Sequence, residues 1–370
     1  MTEIDEPIMT DMQTRVTRFF SQYPEGLLGI PADRLLLGWE VHSEDVQAMQ
    51  LGYQIEVSHD NQFSVLLASE TGDSSDQFEV LAPGPDLASR EARYYRVRIR
   101  TPKGWTGFGP VLAVEAGLLF PSDFSATAIG DNSVASDPSP LLRTTFQLPS
   151  APRKARLYIT SQGLNEPFIN GMPVHDEYLN PGWTAYDFRL NVATYDVTAL
   201  LQEGRNAMGV SLGDGWHRGK FGFLDQYNNY GHHLAALVQL EVETSDGLVH
   251  RVTSNPEWTT STGEIRFGDI YDGSTIDKTM AQKGWSTYGF DDSSWSPVTA
   301  RDLDSNLCQP RISPPIREVA RFPMTLTIQE DRVLLSASQN ISGFVELTVD
   351  GKKGDSVIVR HAEVLEPDQK

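Results

Sequence analysis

The sequence predicts an all-β, multi-domain β-sandwich protein: a fibronectin-III/Ig-like sandwich, then a jelly roll, then the start of a further β-sandwich. Three observations predict it. Short runs with every second residue apolar recur, as in Gly52-Tyr53-Gln54-Ile55-Glu56-Val57 and Tyr94-Tyr95-Arg96-Val97-Arg98-Ile99. Pro- and Gly-rich stretches such as Ala82-Pro83-Gly84-Pro85 and Pro102-Lys103-Gly104 separate them. The 7 Trp, 12 Tyr and 16 Phe among 370 residues supply aromatic cores, where a disordered chain would be poor in aromatics.

Taken in order, residues 1–30 form an N-terminal segment, with a short helix expected over 7–23. Residues 31–120 carry the short alternating runs of an Ig-like sandwich, opening on Gly38-Trp39-Glu40-Val41. Pro121 to Pro140 is rich in Ser, Asp and Pro and reads as a linker or a loose first loop. The jelly roll is assigned to 121–305, with strands at Ala155–Ile159, Ala207–Leu212 and Leu237–Val242. Val197–Leu201 is a short helical stretch that Gly204 would end. Residues 306–370 hold the first strands of a third sandwich, at Phe344–Val349 and Val357–Arg360. So few hairpins cannot close a core, so this last domain is expected to be incomplete.

Composition narrows the function. A formal net charge of -20, with no cluster of Lys and Arg, argues against a nucleic-acid partner. The single cysteine, Cys308, rules out an internal disulfide framework and a cysteine zinc site. Histidines 175, 217, 232 and 233 match no zinc spacing. No run reaches the ~20 apolar residues of a membrane span. Met1 to Tyr23 lacks a basic segment followed by an apolar core, so the expected location is cytoplasmic.

From residue 170 onward a succession of motifs emerges: Asn170-Gly171, Leu179-Asn180-Pro181-Gly182-Trp183-Thr184, Thr194-Tyr195-Asp196-Val197-Thr198, Gly204-Arg205-Asn206-Ala207 and Gly213-Asp214-Gly215-Trp216-His217-Arg218-Gly219. Further pieces follow at Ile270-Tyr271-Asp272-Gly273, Gly284-Trp285, Phe290-Asp291-Asp292-Ser293-Ser294-Trp295, Pro314-Pro315-Ile316-Arg317 and Arg360-His361-Ala362-Glu363-Val364-Leu365. In order and spacing these pieces resemble the N-terminal β domains of bacterial α-L-rhamnosidases, glycoside hydrolase family 78. The chain departs from that family's pattern at Ser274, Ile276, Lys278-Thr279 and Ser336 to Asn340.

The resemblance implies a catalytic (α/α)6 barrel after the β domains. Its two carboxylates would act in an inverting mechanism, about 6.5–9.5 Å apart to admit a water. These residues contain no helical repeat of that kind, so no catalytic residue is assigned and the chain alone is expected to be inactive.

The strongest local signal is the loop from Gly213 to Gly219. Its glycines let backbone approach a partner, while Trp216, His217 and Arg218 offer a ring face and planar donors for a sugar. The competing reading is a Trp anchoring a tight turn, with Arg218 in an ion pair. Asp176, Asn180 and Trp183 come from the preceding loops, and Asn228 and Tyr230 from the stretch Asp225 to Gly231; together these residues make one candidate carbohydrate site. Related jelly rolls include rhamnose-binding modules that use calcium. Asp225, Asn228 and Asn229 supply oxygen ligands suited to that ion, although no metal motif matches and a hydrogen-bonded surface loop explains the same residues. The pairs Asp291-Asp292 and Asp269/Asp272 read as solvated turns.

Three functions follow. The first is an accessory, scaffolding β region of a rhamnosidase bordering the substrate site of a barrel. The second is a stand-alone rhamnose-binding module, with calcium a possible cofactor. The third is a structural or protein-interaction sandwich.

Overall fold

The computed structural model describes residues 11, 13–32, 34–222, 225–329 and 332–363. They fall into two units, one running to Ile316 and the other from Arg317. Within the first, the Ig-like sandwich pairs a three-stranded sheet (Thr14–Ser21, Leu36–Ser43, Val80–Leu81) with a five-stranded one. The larger sheet orders Leu66–Gly72, Gly52–Ser58, Ala92–Thr101 and Gly104–Trp105, with Leu112–Glu115 also on Ala92–Thr101. Ala92–Thr101 is half-buried and buried at alternate residues along its whole length, as the sequence pattern requires. Trp39 lies at the centre, fully buried between Phe19 and Tyr53 with its indole N–H on Gln50 Oε1 at 2.9 Å.

The expected helix over 7–23 is a strand where it is described. Thr14–Ser21 pairs antiparallel with Leu36–Ser43, and a bulge between Val16 and Arg18 shifts the register. The bulge spaces buried Val16 and Phe19 three residues apart, which imitates helical periodicity. Residues 7–10 and 12 lie outside the described residues.

The jelly roll packs a six-stranded sheet on a seven-stranded one. The first sheet orders Met172–Pro173, Leu164–Ile169, Gly204–Gly213, Pro140–Leu148, Thr259–Thr262 and Ser296–Pro297. The second orders Thr299–Ala300, Ile129–Gly130, Ala235–Thr244, Pro152–Gln162, Leu190–Asp196 and Cys308–Pro310, with Val249–Thr253 on Ala235–Thr244. Leu142, Leu157, Ile159, Met208, Val210, Val238, Leu240 and Trp258 fill the space between them. Thr198–Leu200 is a single 3-10 turn, and Gly204, at φ +81°, opens the next strand instead of ending a helix.

The stretch from Pro121 to Pro140 is not a loose linker. Asp123 accepts from Arg90 at 3.1 Å and Ser89 at 2.6 Å, and Ile129 is buried in the seven-stranded sheet. Arg90 also grips Glu241 at 2.6 Å, and Arg156 grips Glu115 at 2.7 Å, so half-buried ion pairs join the Ig-like sandwich to the jelly roll. In the second unit Thr325–Ile328 pairs antiparallel with Val333–Ser336. Phe344–Val349 and Val357–Arg360, expected as strands, have no strand structure and stay largely exposed. An alternating run becomes a strand only where a partner supplies its ladder, and none is present among the described residues. Val364-Leu365, part of the family-like motif, lies outside them.

Candidate functional site

The chain leaves the sheet at Gly213 and makes one helical turn, Gly215–Arg218. Glycine is required here twice. Gly215 sits at φ +52°, and a Cβ on Gly219 would lie 2.4 Å from the Gly215 carbonyl. The turn points Arg218 inward, where it is fully buried. Its Nε and Nη2 lie 2.8 and 2.6 Å from Asp214 Oδ1, and Nη1 donates to the Ser133 carbonyl at 2.8 Å. Burial raises the Asp214 pKa even against the attraction of Arg218. His217 is also buried, edge-on to Tyr186 at 5.1 Å, with Nε2 on the His233 carbonyl at 3.2 Å. That burial pulls its pKa down to about 4, so the ring is neutral near pH 7.

Above this base lies a shelf of aromatic rings. Trp183 stacks on Trp216 (centroids 6.4 Å, 25°), leans on Phe221 at 5.1 Å and sends its indole N–H toward Tyr230 Oη at 3.4 Å. Tyr230 rests in turn on Tyr186 at 5.0 Å. Trp183 remains 52% exposed, an uncommon position for the largest side chain. Polar groups line the neighbouring loop: Lys220 Nζ bridges Asp225 (2.7 Å) and Asp272 (3.0 Å), and Tyr227 donates to Asp272 at 2.5 Å.

Of the predicted sugar contacts, the structure therefore brings Trp183, Trp216 and Tyr230 onto one face. Arg218 and His217 lie beneath it as supports, because both side chains are buried inside the fold and turned away from the surface. Asn180 is corrected more strongly. It is buried, donates to Tyr195 Oη at 2.8 Å and accepts from Arg311 Nη1 at 2.8 Å. This amide belongs to a core network in which Arg311 also holds Glu177 at 2.7 Å. Burial works to raise the Glu177 pKa, but Arg311 and Tyr195 bring it below the usual value. Asp176 is exposed just ahead of Glu177.

The residues named for calcium are spread apart in role. Asp225 is exposed and already paired with Lys220, Asn229 Nδ2 donates to the Gln226 carbonyl, and Asn228 Oδ1 is buried with no donor among the described residues. Among the described residues no group of three His, Cys, Asp or Glu is arranged to hold a metal. Asp269 and Asp291 do organise turns, accepting from backbone N–H groups two residues on. Asp292 differs from its reading as a solvated turn residue: it binds the buried guanidinium of Arg143.

Sequence reasoning did not find Tyr186, Phe221 or Lys220, and it singled out the stretch that contains Tyr227 without naming that residue as a contact. Their contacts across the site join segments tens of residues apart, and the local signals were that stretch for Tyr227 and the preceding Gly213–Gly219 motif for Lys220.

Fold and site define the class: tandem β sandwiches with an aromatic shelf on the jelly roll. Three family models match the chain: the Rha78A-like N-terminal immunoglobulin domain over 16–120, the α-L-rhamnosidase N-terminal domain over 150–320, and the bacterial α-L-rhamnosidase concanavalin-like domain over 326–370. The chain belongs to the α-L-rhamnosidase family, and its residues are that family's N-terminal β region. It is 31% identical to an α-L-rhamnosidase of Formosa agariphila, across 92% of this chain and 39% of the relative. It matches the crystal structure of an α-L-rhamnosidase from Aspergillus terreus with TM-score 0.81 and 31% identity, covering 87% of this chain and 38% of that one. The α-L-rhamnosidase from Dictyoglumus thermophilum gives TM-score 0.76 and 25% identity, over 84% of this chain and 37% of that one. The chain thus spans about two fifths of the length of the curated relative. Among the described residues no helix is long and apolar enough to cross a membrane.

Proposed function

We propose that this chain serves an α-L-rhamnosidase as an accessory β region whose Trp183 shelf receives the sugar of a rhamnose-containing glycoside. In this reading hydrolysis belongs to the whole protein, through the carboxylates of an (α/α)6 barrel, and no residue of this chain is catalytic. The observation that carries it is the half-exposed indole of Trp183, held by Trp216, Phe221 and Tyr230. A fixed aromatic face takes up the C–H side of a pyranose, and polar groups at its edge meet the hydroxyls. The names of the relatives support rhamnose as that sugar.

Calorimetric titration of the chain with L-rhamnose tests the proposal. Saturable binding that Trp183→Ala weakens is the expected result. No heat of binding, with or without calcium, would exclude the shelf as a sugar site. Binding that a chelator abolishes, and that Asp225→Ala or Asn228→Ala weakens, would add calcium to the site.

A further inference from the structure

The six-stranded sheet has a second feature on its outer face. Along Leu164–Ile169 the residues Asn165, Pro167 and Ile169 are buried, so Glu166 and Phe168 face outward. Along Gly204–Gly213 the residues Met208, Val210 and Leu212 enter the core, so Gly209 and Ser211 face outward beside them. The segment following Thr262 folds back over this face and leaves a cleft of about 190 Å³.

Its walls are built, not incidental. The six-membered ring of Trp285 packs against the strand at Gly209, where a Cβ would come within 2.3 Å of it, so only glycine admits the indole. Phe168 meets that indole edge-on at 5.4 Å, Trp295 stacks behind it at 6.3 Å, and the buried Arg143 donates from Nε to the Trp285 carbonyl at 2.8 Å. Gln282 is fixed at all points: Nε2 reaches the Thr262 carbonyl at 2.6 Å and Oε1 accepts from Trp295 Nε1 at 3.0 Å. Of the two carboxylates in the cleft, Glu264 is held by Lys278 at 2.7 Å. Glu166 has no hydrogen-bond or ion-pair partner among the described residues. It opens to solvent at the mouth, yet protein surrounds it closely enough that loss of water raises its pKa.

We infer that this cleft is a subsite for one neutral pyranose ring, seated with its C–H face on Phe168 and Trp285 and its hydroxyls donating to Glu166. An anion is disfavoured by the two carboxylates, and a wholly apolar ligand would leave Glu166 dehydrated and unpaired. Pockets that hold drug-sized ligands measure about 300–1,000 Å³, so a cleft smaller than these admits a single ring. Ser139 and Ser211 add hydroxyls within the same lining. The inference goes beyond the rhamnose shelf and does not depend on it, because no residue is shared between the two.

The test uses the chain carrying Trp183→Ala, which removes the shelf, with L-rhamnose, methyl α-D-glucopyranoside and methyl α-D-galactopyranoside as probes. Saturation-transfer NMR and tryptophan fluorescence read the binding. Saturable binding of at least one probe is expected, weakened about tenfold by Glu166→Ala as a charge-assisted hydrogen bond is lost. Glu166→Gln, which keeps the shape and loses the charge, should fall in between. Neither change touches a partner, so unchanged denaturation midpoints should certify the fold. Three silent probes, or binding indifferent to Glu166→Ala, would overturn the inference. Binding of D-glucosamine alone would also overturn it, because the cleft would then be a cation site.

Discussion

Arg218 Nη2 lies 2.6 Å from Asp214 Oδ1, one helical turn away in sequence, and both side chains are removed from water. The pair fastens the loop that carries Trp216 to the end of its strand, and Nη1 ties the same loop to Ser133. The shelf therefore rests on a buried ion pair.

Removing one member of such a pair leaves the other charged and dry. Arg218→Ala is expected to cost about 3–5 kcal/mol, read as a lower midpoint in chemical denaturation. Arg218→Lys should recover only part of this, since one ammonium cannot reach Asp214 and the Ser133 carbonyl together. An unshifted midpoint for Arg218→Ala would contradict the anchoring role.

Trp183 should behave in the opposite way. Its ring is half in water, so Trp183→Ala is expected to lower stability by only about 1 kcal/mol. Rhamnose affinity should fall about tenfold or more on the same sample, because stacking area is lost. A variant that loses stability and binding together would make Trp183 a core residue.

His217 gives a pH dependence of definite sign. Its folded pKa, about 4, lies below the ordinary value of 6.5, so on acidification the unfolded chain takes up the proton first. Stability from this group is intact above pH 6.5 and is lost as the pH falls toward 4, by up to about 3 kcal/mol. Denaturation midpoints across this window should fall less steeply in His217→Asn than in the parent chain. Equal slopes would remove His217 from the acid response.

Tyr195 closes the core network around Asn180. Its hydroxyl donates to Glu177 at 2.7 Å and accepts from Asn180 at 2.8 Å, both buried. Tyr195→Phe leaves two polar groups short of a partner and should cost about 1–3 kcal/mol in a denaturation series. A neutral effect would mean that the network re-satisfies itself.

Much of the fold was legible because a strand with one wet face writes its period into the sequence. Ala92–Thr101 alternates without interruption, and the structure follows it. Thr14–Ser21 deceived because its bulge breaks the alternation into a helix-like spacing. The Gly213–Gly219 motif was legible as a tight loop, since those glycines answer to local sterics. Whether Arg218 pointed at a sugar or at a carboxylate was not legible, because helical spacing allows Asp214 to meet it in either case.

The sequence by itself determined the class of protein: alternating runs, their punctuation and the ordered motifs specify tandem β sandwiches of the rhamnosidase type. Only the tertiary structure decided which candidate residues face solvent. Asn180, His217 and Arg218 went to the interior, Trp183 stayed at the surface, and Glu166 came to share a cleft with Trp285. Local pattern reports how each residue sits on its own strand or turn. Burial and partnership depend on which distant segment packs above it, and that is settled by the closing of the two sheets.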